Sequence, residues 1–124
     1  MAKYITKENR IKVYDKYSGR CSYCGCEIFM TSFHVDHIDP RRRGDISNPN
    51  ITNGKNHIDN YNPSCASCNC SKSTFSIEDW RIQIQKKIIN INRDSSNYRI
   101  LKRYGLIEEN IKPIKFYFEN YKSI

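Results

Sequence analysis

Two Cys-x-x-Cys pairs, Cys21 with Cys24 and Cys65 with Cys68, bracket the segment His34-Val35-Asp36-His37, and Asn69 follows the last cysteine directly. Four thiolates at this double spacing can close one tetrahedral zinc site: each short pair forms a knuckle, and the interval of about 40 residues folds back to join them. Such a zinc pins two distant segments together. One carries a histidine and a carboxylate, the other an asparagine. These are the group types that hydrolysis of a phosphodiester needs beside a hard cation.

Composition fits that chemistry. A chain of 124 residues holds one modest domain, and with 38% hydrophobic residues its core is too thin to be robust without a metal staple, a partner or a ligand. A formal charge of +8 and a pI near 9.2 favour a polyanionic partner. Six cysteines also suit a secreted disulfide framework. Against that, the start Met1-Ala2-Lys3-Tyr4-Ile5 runs into polar residues without the apolar stretch of a signal peptide, and no segment is long or apolar enough to span a bilayer. An intracellular zinc protein is therefore expected, with thiolates held by metal and not oxidised. Cys26 and Cys70 are left over, as small reduced side chains near the knuckles or as competitors for the zinc.

The elements that must position these groups follow from pattern. Thr6 can cap a first helix whose Ile11, Tyr14 and Tyr17 share one face, with Gly19 placed to end it. Cys21 to Cys26 should turn tightly. Phe33 to Ile38 reads as a strand stopped by Asp39-Pro40, and Arg41 to Asn60 reads as a loop. Asn62-Pro63-Ser64 resembles a helix start that places Cys65, Cys68, Asn69 and Lys72 on successive turns. Ser76 with Asp79 imitates a capping box for a helix to about Arg93, in which Trp80, Ile84, Ile88 and Ile91 form a core or dimer face. A further helix from about Asn97 to Tyr104 should end at Gly105. The alternation of Ile114, Phe116 and Phe118 with Lys115, Tyr117 and Glu119 reads as a half-buried strand over 112–121.

Positive charge is concentrated in two places. Arg41, Arg42 and Arg43 follow the His34–His37 strand, where a triple charge suits a nucleic-acid backbone. Between Arg81 and Arg103 there are seven basic residues against one acid, Asp94, and Lys86, Lys87, Lys102 and Arg103 are the candidate phosphate contacts. Lys72, three residues after Asn69, is placed to hold a phosphate or to sit in solvent. His57 reads as a solvent-exposed loop histidine, with a substrate or metal contact as the alternative.

The strings CSYCGC, FHVDHIDP and DNYNPSCASCNCSKS together resemble the HNH endonuclease family, in the zinc-stapled branch found among phage and mobile-element nucleases. The likeness covers Cys21 to Lys72. FSIEDWR and NYRILKRYGLIEENIKPIKFYFE resemble the C-terminal region of small phage-type members. The family's last motif position is His or Asn, and here it is Asn69, with the middle Asn at Asn60. The resemblance implies an α+β fold: a ββα-metal, treble-clef-like core over 20–73 with structural zinc, flanked by an N-terminal helix and by C-terminal helices plus a strand. All of 1–124 would be a single domain, with 76–124 an extension for DNA contact or dimerisation. It implies zinc on Cys21, Cys24, Cys65 and Cys68, and a catalytic Mg2+ or Mn2+ on Asp36 and Asn69. His37 would be the general base and Asn60 would hold the loop that orients it. Histidine suits that task because its ordinary pKa lies near neutrality. The implied activity is metal-dependent DNA cleavage, by nicking or double-strand cutting, leaving 5′-phosphate and 3′-hydroxyl ends. DNA is the implied partner, beside a homodimer or other phage or mobile-element proteins in a bacterial host.

Elementary strand geometry complicates one assignment. Neighbours on a regular strand face opposite sides, so Asp36 pairs more naturally with His34, and His37 with Asp39. Placing Asp36 and His37 in one site asks the strand to bend or twist. Two readings compete with the nuclease: a zinc-stapled DNA-binding module without catalysis, and a structural zinc adaptor whose basic charge serves acidic protein partners.

Overall fold

The computed structural model describes residues 5–40 and 54–122, so Arg41, Arg42 and Arg43 lie outside the described residues. Close backbone contacts divide the chain into two compact units, one taking in the residues up to Ile77 together with the stretch from Lys115, the other spanning Glu78–Ile114.

In the first unit, α1 (Lys7–Asp15) begins where Thr6 accepts a hydrogen bond from the Asn9 amide at 3.1 Å. It gives way at Gly19, whose φ of 79° carries the chain into the left-handed region. Of its side chains it is Val13 that is buried, while Ile11 is 43% exposed, so the inward face lies off the one expected from Ile11, Tyr14 and Tyr17. The first knuckle closes with the Cys21 amide donating to the Cys26 carbonyl at 2.8 Å. A Cβ on Gly25 would lie 2.7 Å from the Tyr117 ring, so no larger residue fits there.

A two-stranded antiparallel sheet follows, β1 (His34–His37) against β2 (Tyr61–Ser64), in the register His34↔Ser64, Val35↔Pro63, Asp36↔Asn62, His37↔Tyr61. The segment Asn62-Pro63-Ser64 is thus strand, not the first turn of a helix as its sequence suggests. Its backbone is already committed: the Pro63 carbonyl accepts the Ser22 amide at 2.9 Å and the Ser22 hydroxyl at 2.8 Å, which fastens β2 to the knuckle. Helix α2 (Ala66–Lys72) starts three residues later, with Cys65 at its N-cap accepting from the Cys68 amide.

The chain end from Lys115 returns to this unit. It forms no strand. The Tyr117 and Phe118 amides donate to the carbonyls of Tyr23 and Ser22 at 2.9 and 2.8 Å, which ends any ladder, and Phe116 and Phe118 stack on each other at 5.8 Å with their edges or faces against Tyr23. The alternation read as a strand is that of a lid over the knuckle, ending in one short helical turn, Tyr117–Asn120. The unit buries Val13, Cys21, Tyr23, Ile28, Phe33, Tyr61 and Phe116, together with the polar Ser22, Asp36, Asn62, Ser64 and Lys72.

In the second unit, α3 (Ile77–Asp94) and α4 (Ser96–Arg103) meet at Ser95, which caps α4 by accepting from the Tyr98 amide at 3.1 Å. Gly105, at φ 72°, follows α4 as expected. Trp80 is buried while Ile91 is 41% exposed. Asn92, Tyr98 and Lys102 converge on the Glu109 carboxylate at 2.7, 2.9 and 3.0 Å, and this polar node ties the two helices to the segment that follows them. Among the described residues no helix is long and apolar enough to cross a membrane.

Candidate active site

The four knuckle cysteines come together: the Sγ atoms of Cys21, Cys24, Cys65 and Cys68 all lie within 4.8 Å of one another, and none forms a disulfide. A tetrahedral zinc with bonds of about 2.3 Å requires sulfur–sulfur edges of about 3.8 Å. Cys24 and Cys65 stand at 3.8 Å. The donor set and its spacing therefore fit zinc. A hydrogen bond shared by Cys21 and Cys68 pulls the first thiol down and pushes the second up. Burial pushes the leftover Cys26 up to about 12.

The four-cysteine cluster joins the segments that carry β1 and α2, and two periodicities then match. Along a strand, His34 and Asp36 share a face; along a helix, Asn69 and Lys72 are neighbours one turn apart. The Asn69 Nδ2 lies 3.5 Å from the His34 Nδ1, and the Lys72 ammonium lies 3.2 Å from the Asp36 Oδ2. Asp36 is also met at Oδ2 by the Tyr23 hydroxyl, which donates to it. Burial raises the Asp36 carboxyl above its usual range, opposed by the Lys72 charge and the Tyr23 hydrogen bond, and burial followed by the Asp36 charge raises the Tyr23 phenol. Tyr23 stands between the two cysteines of the first knuckle. Nothing in the pattern of the sequence separates it from a spacer residue.

His37 has a different set of partners. Its ring packs edge-on against Tyr61, its cross-strand neighbour, at 5.2 Å between centroids, and its Nε2 lies 2.8 Å from the Asn56 Oδ1. The pairing of β1 with β2 runs through His37↔Tyr61 without interruption, so Asp36 and His37 occupy the alternating positions of an ordinary strand. Asn60 clasps the exit from β1: its Oδ1 accepts from the Asp39 amide at 2.8 Å, and its Nδ2 donates to the Asp39 and Lys55 carbonyls at 3.0 Å each. Gly54 is required beside it, since a Cβ there would fall 1.6 Å from the Asp39 carbonyl oxygen. His57 is exposed and caps the turn Ile58–Asn60. A groove of about 860 Å³, lined by Thr6, Lys7, Arg10, Met30, His34 and Asn69 among others, opens beside the α2–β1 contact.

The candidate phosphate contacts divide by exposure. Lys86, Lys87 and Arg103 are exposed, whereas Lys72 is wholly buried and Lys102 is tied to Glu109 and Asn92. Glu78, Asp94 and Glu109 pair with Arg81, Arg93 and Lys102. Glu78 and Glu109 lie just outside the sequence window from Arg81 to Arg103, so the local charge excess is smaller in space than along the chain.

Residues 21–75 match the family model described as HNH endonuclease. The chain is 30% identical over 109 residues to YoqL, a protein derived from the SPbeta prophage of Bacillus subtilis (strain 168) whose name assigns it to the HNH endonucleases; the match covers 79% of this chain and 39% of that protein. Among solved structures, the type II-C Cas9 enzyme from Actinomyces naeslundii superposes with a TM-score of 0.50 and 24% identity over 78% of this chain and 10% of the Cas9 chain, a likeness of fold. The short antiparallel sheet, the crossing helix and the four-cysteine cluster are those of the ββα-metal class, and all of them fall within residues 21–75, the stretch that matches the HNH endonuclease model.

Proposed function

We propose that the chain is a metal-dependent DNA endonuclease whose site lies where α2 crosses β1. The observation that carries this reading is the docking of Asn69 on His34 and of Lys72 on Asp36, directly beside four thiols spaced for zinc. Zinc on Cys21, Cys24, Cys65 and Cys68 would be structural, since four protein ligands leave no open position. Asp36 and Asn69 offer a carboxylate and an amide oxygen, hard donors that suit Mg2+ or Mn2+. With the Asn69 Nδ2 turned to His34, its oxygen is the atom left to face a cation. Such an ion would supply charge neutralisation at the phosphate and the departing 3′ oxygen.

The remaining work belongs to the chain itself. His37 takes the proton of the attacking water through an imidazole nitrogen, its ring steadied by Tyr61 and by Asn56. Asn60 fixes the turn that follows His37 and so keeps that nitrogen in line. The groove beside His34 and Asn69, with Lys7 and Arg10 on its wall, suits the strand flanking the cut. The exposed Lys86, Lys87 and Arg103 add a sequence-independent grip. Hydrolysis in this arrangement leaves 5′-phosphate and 3′-hydroxyl ends.

Incubation with supercoiled plasmid and Mg2+ or Mn2+, beside the variant His37→Ala, tests the reading. Open circles or linear DNA from the wild type are expected, with a loss of about 100- to 10,000-fold in the variant while zinc content and DNA binding persist. Equal cutting by His37→Ala and loss in His34→Ala would move the base to the other strand face. No cutting with tight DNA binding would favour the binding module.

A further inference from the structure

Lys72 is the anomaly of this molecule: an ammonium 0% exposed in a unit with little apolar core to spare. A buried charge is tolerated only when paired, and a buried pair adds little stability over an apolar pair of the same shape. Its geometry suggests another use. The Nζ lies 3.2 Å from the Asp36 Oδ2 and donates to the His37 carbonyl at 2.8 Å. One ammonium therefore meets the carboxylate expected to hold the cation and the peptide of the residue expected to act as base. The Tyr23 hydroxyl meets the same Oδ2, and is itself backed by Phe116 and Phe118 and approached at 3.5 Å by the Asn62 amide, whose oxygen accepts from Lys16 at 2.8 Å.

We propose that Lys72 and Tyr23 are positioning residues that together clamp the Asp36 Oδ2, so that the carboxylate presents Oδ1 to the cation, and that Lys72 links this carboxylate to the His37 backbone instead of holding a DNA phosphate. Asn69 sits one turn earlier on the same helix, so α2 sets both proposed cation donors and the base as one body. The inference rests on the nuclease reading above, which names Asp36 and His37 as the working pair.

A clamp has a signature that a mere structural contact lacks. The Lys72 charge opposes a divalent ion at the same carboxylate, so removing it should leave cation binding as tight or tighter while turnover falls through impaired orientation. The test uses the full-length zinc-loaded protein, Mn2+ titrated by calorimetry, and kcat and KM for plasmid nicking, in Lys72→Met, Lys72→Arg and Tyr23→Phe. Lys72→Met should lower kcat about 10- to 100-fold, with KM for DNA and the Mn2+ Kd no higher than in the wild type, and Lys72→Arg should recover part of the loss. A raised KM at unchanged kcat would make Lys72 a phosphate ligand and overturn the proposal. Mn2+ binding that disappears in parallel with stability would reduce it to a packing residue, which also overturns it. Should Lys72→Met fail to fold, Tyr23→Phe decides, because it keeps the ring against Phe116 and Phe118: normal zinc content with kcat lowered roughly tenfold supports the clamp, and wild-type turnover refutes it. Failure of the wild type to cut would count against the nuclease reading alone; the Mn2+ isotherms of Lys72→Met would still decide the clamp.

Discussion

Asn60 offers the sharpest separation of geometry from stability. Its side chain makes three hydrogen bonds, at 2.8, 3.0 and 3.0 Å, to the Asp39 amide and to the Asp39 and Lys55 carbonyls. At a net value near 1 kcal/mol each, Asn60→Ala removes about 3 kcal/mol of local order from the turn behind His37. Since about 1.4 kcal/mol is a factor of ten, the turn should leave its closed form often enough to lower kcat by about 10- to 100-fold. The four-cysteine cluster, β2 and α1 hold by other interactions, so metal content and the melting of the core should change little. Asn60→Asp sharpens the test. It keeps the acceptor for the Asp39 amide but sets a carboxylate oxygen against two carbonyls at about the former 3.0 Å, so near neutral pH it should be at least as damaging as alanine despite being isosteric. Nicking rates beside amide hydrogen exchange at Asp39 and Gly54 provide the two readouts. Wild-type turnover in Asn60→Ala with exchange at Asp39 accelerated would refute the link between this clasp and His37, and unchanged exchange would refute the clasp itself.

Metal analysis should find one zinc per chain, and Cys65→Ser or strong chelation should unfold the first unit, because binding free energy at a structural zinc is folding free energy; a folded zinc-free preparation would contradict this. Neutralising Lys86, Lys87 and Arg103 together should weaken DNA binding alike for all sequences and flatten the log–log salt dependence by about 0.9 for each phosphate no longer neutralised on B-form DNA. Lys102→Gln should leave that slope unchanged, since its ammonium is held by Glu109, and an equal flattening would place it on the DNA instead. Hydrogen bonds from Asn92, Lys102 and Tyr98 hold the Glu109 carboxyl below its usual range. Its contribution to the second unit is therefore complete above the ordinary glutamate pKa and is lost as pH falls through the lowered value. Thermal melts of wild type and Glu109→Gln should converge under acid and separate toward neutrality, and parallel curves would refute the node.

The four-cysteine cluster is the most legible part of the sequence because knuckle spacing is a covalent constraint: Cys-x-x-Cys sets two candidate ligands together whatever the surrounding packing, and only the pairing of the knuckles is left to the fold. Caps were nearly as plain. Thr6 and Gly19 act through their own side chain or their own φ, and so does Gly105. The errors fall where a local pattern met a distant partner. Pro63 after an asparagine looks like a helix start until the Ser22 amide claims its carbonyl from 41 residues away. Alternating aromatics after Lys112 look like a strand until the backbones of Ser22 and Tyr23 take the amides that a ladder would use. The basic run between Arg81 and Arg103 stands out along the chain, but Glu78 and Glu109, just beyond its ends, pair with Arg81 and Lys102 in space.

On the proposed reading, the pairing of Asp36 with His34 or with His37 turns on a geometry that neither strand alternation nor motif register contains alone. The strand stays regular, so Asp36 and His34 do share a face, and α2 covers it with Lys72 and Asn69. His37 need not turn to that face to work beside Asp36. A cation held at the edge of β1 and a water approaching from the side of Asn56 and Tyr61 would meet at the strand's rim, with the two residues reaching it from opposite faces. Alternation would then be useful, because it would keep His37 out of the proposed ligand set while leaving it one residue from Asp36. The exchange Asp36→His with His37→Asp would conserve composition and charge types but swap the faces, and on this argument it should abolish cutting with the zinc still bound. Retained cutting would show that the strand is not what separates the two roles.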